Sequence, residues 1–164
     1  MVDLRDRNTF TTPLHSAASN GHREIVLTLI EHEAEVDWVD KTRRTPLHLA
    51  AKNGHEFVAD VLLSNKAPAN VLDKFENAPL HFAIQGGHFA VVKRLVEADA
   101  DINLVGGPLK ETPIHLAVQN GKPDLVKYLL DQGADVSGKN KIGKPPLHQA
   151  ASLGLADVAT VLLS

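Results

Sequence analysis

Nine histidines are the residues of this chain best equipped for chemistry. An imidazole can ligate a metal, carry a proton, or donate and accept hydrogen bonds. Five of them close a recurring tetrapeptide: Thr12-Pro13-Leu14-His15, Thr45-Pro46-Leu47-His48, Ala78-Pro79-Leu80-His81, Thr112-Pro113-Ile114-His115 and Pro145-Pro146-Leu147-His148. The steps between these histidines are 33, 33, 34 and 33 residues. His22, His55 and His88 each follow a glycine at a constant offset, and His32 has Asn65 in its slot one period later. Metal and acid–base sites need groups that converge. Histidines spaced by a repeat are carried on successive copies of one unit and held apart by it. All nine are therefore expected to be structural.

No other catalytic pattern competes. The chain has no Gly-x-Ser-x-Gly, Walker-type loop or His-Glu-x-x-His. Gly86-Gly87 and Gly106-Gly107 are not followed by phosphate-binding residues at a helix start. With no cysteine, thiolate chemistry and disulfides are excluded. The expectation is a non-enzyme with no cofactor, no metal and no catalytic residue.

The elements that carry the histidines repeat with them. After each tetrapeptide come small residues (Ala17-Ala18, Ala50-Ala51, Ala83-Ile84, Ala117-Val118, Ala150-Ala151), then Gly21, Gly54, Gly87, Gly121 or Gly154. Apolar pairs follow at helical spacing, as in Ile25-Val26 with Leu29-Ile30 and Leu125-Val126 with Leu129-Leu130. Each copy reads as helix, glycine turn, helix and an extended connection. Threonine before proline suits an N-cap followed by the first helical position. Ala78 and Pro145 lack the hydroxyl, so the third and fifth copies should start less firmly.

Period, tetrapeptide, small pair and glycine together resemble the ankyrin repeat, in five copies over essentially the whole chain. The resemblance implies an all-α fold: a solenoid of antiparallel helix pairs with projecting β-hairpin fingers. It implies one domain over residues 1–164, with repeats at about 7–39, 40–72, 73–106, 107–139 and 140–164. The histidine would tie the helix start to neighbouring backbone. The outer helix would end on a left-handed glycine, kept only at Gly133; Glu33, Lys66 and Asp99 stand there in other copies, at a cost of about 1 kcal/mol, less for Asp than for Glu or Lys. Asn70 and Asn103 would be hairpin-stabilising asparagines. The chain ends inside an outer helix, with the expectation that the natural array continues.

Family geometry implies partner contact at fingertips and the inner-helix face. Carried onto this sequence, those positions are Trp38, Lys41, Thr42, Arg44, Lys52 and Asn53 in the second copy, and Lys74, Phe75, Asn77 and Gln85 in the third. In the fourth and fifth copies they are Leu109, Glu111, Gln119, Lys141, Ile142 and Lys144. Trp38 either anchors a partner or packs beneath a neighbouring finger.

Charge refines the expected partner. The net charge is −3, against a general nucleic-acid binder. Yet the four segments 38–44, 71–77, 104–111 and 138–144 hold eight of the seventeen Lys and Arg and only four acids. This suggests an acidic protein or peptide with a few apolar anchors, bound by a monomer. No window approaches transmembrane length and the first residues carry no apolar signal segment, so no membrane role and a cytoplasmic location are expected, with the nucleus as the alternative. The competing functional reading is the targeting region of a larger enzyme or channel.

Overall fold

The computed structural model describes residues 2–164. Among the described residues there are ten α-helices and no sheet; the one β-bridge joins Gly106 and Glu111. The packing divides into two compact units, one ending at Ala100 and the other spanning Asp101–Ser164.

The first unit holds three helix pairs: α1 (Pro13–Ser19) with α2 (Arg23–Glu31), α3 (Pro46–Asn53) with α4 (Glu56–Ser64), and α5 (Pro79–Gln85) with α6 (Phe89–Glu97). Inner helices α1, α3 and α5 pack in series, as do outer helices α2, α4 and α6. The core they share is aliphatic: Leu14, Leu47, Leu62, Leu80, Ile84 and Leu95 are fully buried. Ala18, Ala51 and Ala83 are also fully buried, which lets the backbones approach closely. The second unit pairs α7 (Pro113–Asn120) with α8 (Pro123–Asp131) and α9 (Pro146–Leu153) with α10 (Ala156–Leu163), around Ile114, Leu125 and Leu129.

Each helix of seven to nine residues is too short to persist alone, so stacking supplies its stability. Local chemistry sets the ends. Proline opens α1, α3, α5, α7 and α9, where no hydrogen bond is lost. Before α1 and α3, Thr12 and Thr45 accept from the backbone N–H of His15 and His48 at 3.4 Å. The outer helices end as expected in the left-handed region, at Glu33 (φ 65°), Lys66 (φ 66°), Asp99 (φ 59°) and Gly133 (φ 89°). Directly after the first three, Ala34, Ala67 and Ala100 turn inward and are buried.

The connections are tight turns closed across their bases by backbone hydrogen bonds, such as Asp40 N–H to the Arg44 carbonyl at 2.9 Å; at the fourth, Gly106 and Glu111 exchange two, at 2.8 and 2.9 Å. No helix of the described residues is long and apolar enough to cross a membrane.

Candidate partner-binding surface

Three of the fingers are organised from within by one side chain each. Asp40 Oδ1 accepts from the N–H groups of Thr42 (2.7 Å) and Arg44 (2.9 Å). Asp73 Oδ1 does the same for Phe75 (2.8 Å) and Asn77 (3.0 Å), and Asn140 Oδ1 for Ile142 (3.2 Å) and Lys144 (3.0 Å). Such short polar side chains build turns by taking over backbone donors. The turn places its fourth residue at positive φ: Arg43 (63°), Glu76 (64°) and Gly143 (77°). Only Gly143 suits that conformation without strain.

Fingers are then tied to each other and to the helices. The N–H of Lys41 donates to the Thr9 carbonyl, that of Lys74 to Thr42, and that of Lys141 to Leu109, each at 2.8 Å. The signature histidines supply the second tie. His15 Nε2 lies 2.9 Å from the Arg44 carbonyl, His48 Nε2 3.1 Å from that of Asn77, and His115 Nε2 3.1 Å from that of Lys144. A carbonyl only accepts, so Nε2 carries the proton. Nδ1 is then the acceptor for the backbone N–H of Thr12 (3.2 Å), Thr45 (3.0 Å) and Thr112 (3.3 Å). Burial pushes the His48 pKa down to about 4 and lowers that of His15, against the opposing pull of the carbonyls each imidazole meets and of nearby Asp73 or Asp40.

His148 is an exception. It is exposed, and Pro145 has no N–H to offer its Nδ1. Ala78 keeps its N–H, which reaches His81 Nδ1 at 3.0 Å without any hydroxyl. On the opposite loops, His55 Nε2 meets the Ser19 carbonyl at 3.0 Å and His88 Nε2 that of Lys52 at 3.1 Å. Gly21 and Gly54 must stay small there. A Cβ would fall 2.6 Å from His55 and 2.5 Å from His88.

This ladder of fingers, imidazoles and glycine turns is what a family comparison detects. A family model described as ankyrin repeats (3 copies) matches residues 2–74 and 80–164. The chain belongs to the ankyrin repeat family. No curated protein matches it. Ankyrin repeats are generally protein–protein interaction modules, and the fold is typically a non-catalytic scaffold.

Within the ankyrin frame, the expected contact residues separate. Lys41, Lys52, Asn53, Lys74, Phe75, Gln85, Leu109, Gln119, Lys141, Ile142 and Lys144 are exposed, and Thr42 is half-buried. Trp38 is 37% exposed with the Arg5 guanidinium carbon 3.4 Å from its ring centroid, so a segment preceding the repeats packs on it. Asn53 is exposed yet spends its amide on the Ser19 carbonyl at 2.8 Å.

Three residues do not sit as expected. Asn77 and Glu111 are buried. The Asn77 carbonyl serves His48, which draws the residue inward. Glu111 Oε1 accepts from Gln119 at 2.7 Å and Gln149 at 3.2 Å, which makes it an organiser of the inner helices. Arg44 is half-buried: its Nε lies 3.1 Å from Asp73 Oδ2 and its guanidinium 4.8 Å from the Phe82 ring centre. Its charge is neutralised rather than offered.

Residue types alone also missed the strain at Arg43 and Glu76. Gly143 in the same slot of the fifth copy was the available signal. Finger one, likewise, shares the extra residue of finger four: Asp6 and Gly106 each close onto a carbonyl five residues on, Thr11 and Glu111, at 2.9 and 2.8 Å.

Proposed function

We propose that this ankyrin chain is a protein-binding scaffold whose partner is an acidic protein or peptide bearing a few large apolar side chains. It docks on the fingertips and inner-helix face, and the scaffold acts as a monomer in the cytoplasm or nucleus, without nucleic acid, membrane or cofactor. One observation carries the reading. Phe75 (50% exposed), Leu109 (48%) and Ile142 (64%) stand at turn tips where folding asks for no apolar residue. Lys74 is exposed on the same turn as Phe75, Lys41 is exposed on the preceding turn, and Lys141 and Lys144 are exposed on the turn of Ile142. Of the four finger acids, Asp40, Asp73 and Glu111 are turned onto the protein's own donors. Three of the four finger acids are thus consumed locally, while Lys41, Lys74, Lys141 and Lys144 remain exposed. Apolar anchors with exposed cations beside them in the chain fit an acidic segment with apolar side chains.

The test is selection from a displayed peptide library. Selected sequences are expected to combine Asp or Glu with Leu, Ile or Phe. Phe75→Ala and Ile142→Ala should each weaken the selected peptides by about 1–2 kcal/mol, with thermal stability retained. Peptides that survive both substitutions but are lost with Lys127→Ala on the outer helix α8 would place the surface elsewhere.

A further inference from the structure

Trp38, the chain's only tryptophan, has an environment unlike the basic fingertips. The chain reaches it through Glu31, Glu33, Glu35 and Asp37, four carboxylates at alternate positions, all exposed. No Lys or Arg interrupts residues 24–40. The face of the indole is occupied by a guanidinium from residues 2–5: Arg5 lies 3.4 Å from the ring centroid. A planar cation stacked on tryptophan is held by the negative face of the ring, and nearby carboxylates strengthen the attraction.

The segment bringing Arg5 there is held lightly. Asp3 Oδ2 accepts from the Glu35 N–H at 3.5 Å, while Asp3 Oδ1 is buried without a hydrogen-bond partner among the described residues. Arg5 makes none of the ion pairs found among the described residues, so it is held through its face alone. The first turn of the chain is built at Asp6, whose Oδ1 accepts from the N–H groups of Asn8 (2.9 Å) and Thr9 (2.8 Å).

We propose that the Trp38 face, with its flanking Glu31, Glu33, Glu35 and Asp37, is a docking site for an arginine on a basic segment of a partner protein, and that Arg5 is its resident intramolecular occupant. Residues 2–5 act as a displaceable cover. The partner's guanidinium replaces that of Arg5 on the indole, and the carboxylate row selects for positive charge around it. This surface is opposite in sign to the fingertips that follow it in the chain.

A single tryptophan makes the test direct, because one indole N–H resonance reports the site. In ¹H–¹⁵N spectra of the full chain, Arg5→Ala should shift that resonance, and acrylamide should quench Trp38 fluorescence about twofold more effectively. The probe is the blocked peptide Leu-Arg-Asp-Arg, copied from residues 4–7. Titrated into the Arg5→Ala protein, it should move the resonance back toward its wild-type position, with at least fivefold tighter apparent binding than to wild type. The same peptide with both arginines changed to glutamine should do nothing. Glu35→Gln combined with Asp37→Asn should weaken the arginine peptide severalfold while leaving the rest of the spectrum in place. If Arg5→Ala leaves the indole resonance and the quenching unchanged, the cover does not exist. If cover removal is visible but the arginine peptide binds no better than the glutamine peptide, the docking assignment is overturned.

Discussion

The His48 imidazole donates from Nε2 to the Asn77 carbonyl and accepts at Nδ1 from Thr45. A second proton would have to enter at Nδ1, against an N–H donor and without water. Its folded pKa of about 4 therefore lies below the unfolded value of 6.5. Folding favours the neutral ring, so the stabilisation is complete above pH 6.5 and is lost progressively as pH falls toward 4. His48 alone makes this roughly 3 kcal/mol by linkage. Urea midpoints at a series of pH values across that window should show the decline, and His48→Gln should flatten it while lowering stability at neutral pH. Residue-scale strain gives a second expectation. Glu33, Lys66, Arg43 and Glu76 all have φ near 60–66°, a conformation that costs a side chain about 1 kcal/mol. Replacing each by glycine should raise stability by roughly 0.5–1 kcal/mol, even after the entropy gained by the unfolded chain. Unmoved melting temperatures would mean that compensating contacts hold these side chains.

At the scale of an element, the second and third fingers are coupled by one ion pair. The Asp73 carboxylate has no solvent exposure, and it serves Phe75, Asn77 and Arg44 together. Arg44→Glu would set a second carboxylate beside it and leave a buried charge without its partner, at a cost of about 3 kcal/mol or more. Lys74→Glu, one residue along the same finger, should stay within about 0.5 kcal/mol of wild type because its side chain is exposed. Chemical denaturation of the two variants separates a structural arginine from a recruiting lysine. Helix starts offer a gain. Ala78→Thr would restore the hydroxyl that Thr12 and Thr45 use toward their histidines and should stabilise the third copy by about 1 kcal/mol, read from the thermal midpoint.

Across the whole molecule, charge is segregated by sequence position. The four finger segments carry eight basic and four acidic residues, leaving nine basic and sixteen acidic elsewhere. Such separation steers association more than it adds affinity. For an acidic partner on the fingers, the association rate should fall steeply between low and physiological salt while dissociation changes little. Lys141→Glu together with Lys144→Glu should flatten that dependence in stopped-flow measurements. An unchanged salt slope would show that these lysines do not guide the encounter.

The repeat period, the helix pairs, the proline starts, the left-handed ends at Glu33, Lys66 and Asp99 and the structural use of the histidines were all legible in the sequence. Each is governed by local backbone chemistry that one copy shares with the next, so comparing copies exposes it. The burial of Asn77 and Glu111, the Arg44–Asp73 pair and the Arg5–Trp38 stack were not. The two pairings join residues about thirty apart, and both burials arise from partners on neighbouring copies. Whether a polar side chain is offered to a partner or spent at home depends on what the neighbouring copy presents opposite it. His148 stays outside the ladder: it is exposed, and Pro145 at the head of its tetrapeptide has no N–H to give its Nδ1. Residue type and spacing determined the scaffold. Only the tertiary structure decided which of its charges remain available, because hydrogen bonding and burial between adjacent copies neutralise some and leave others in water.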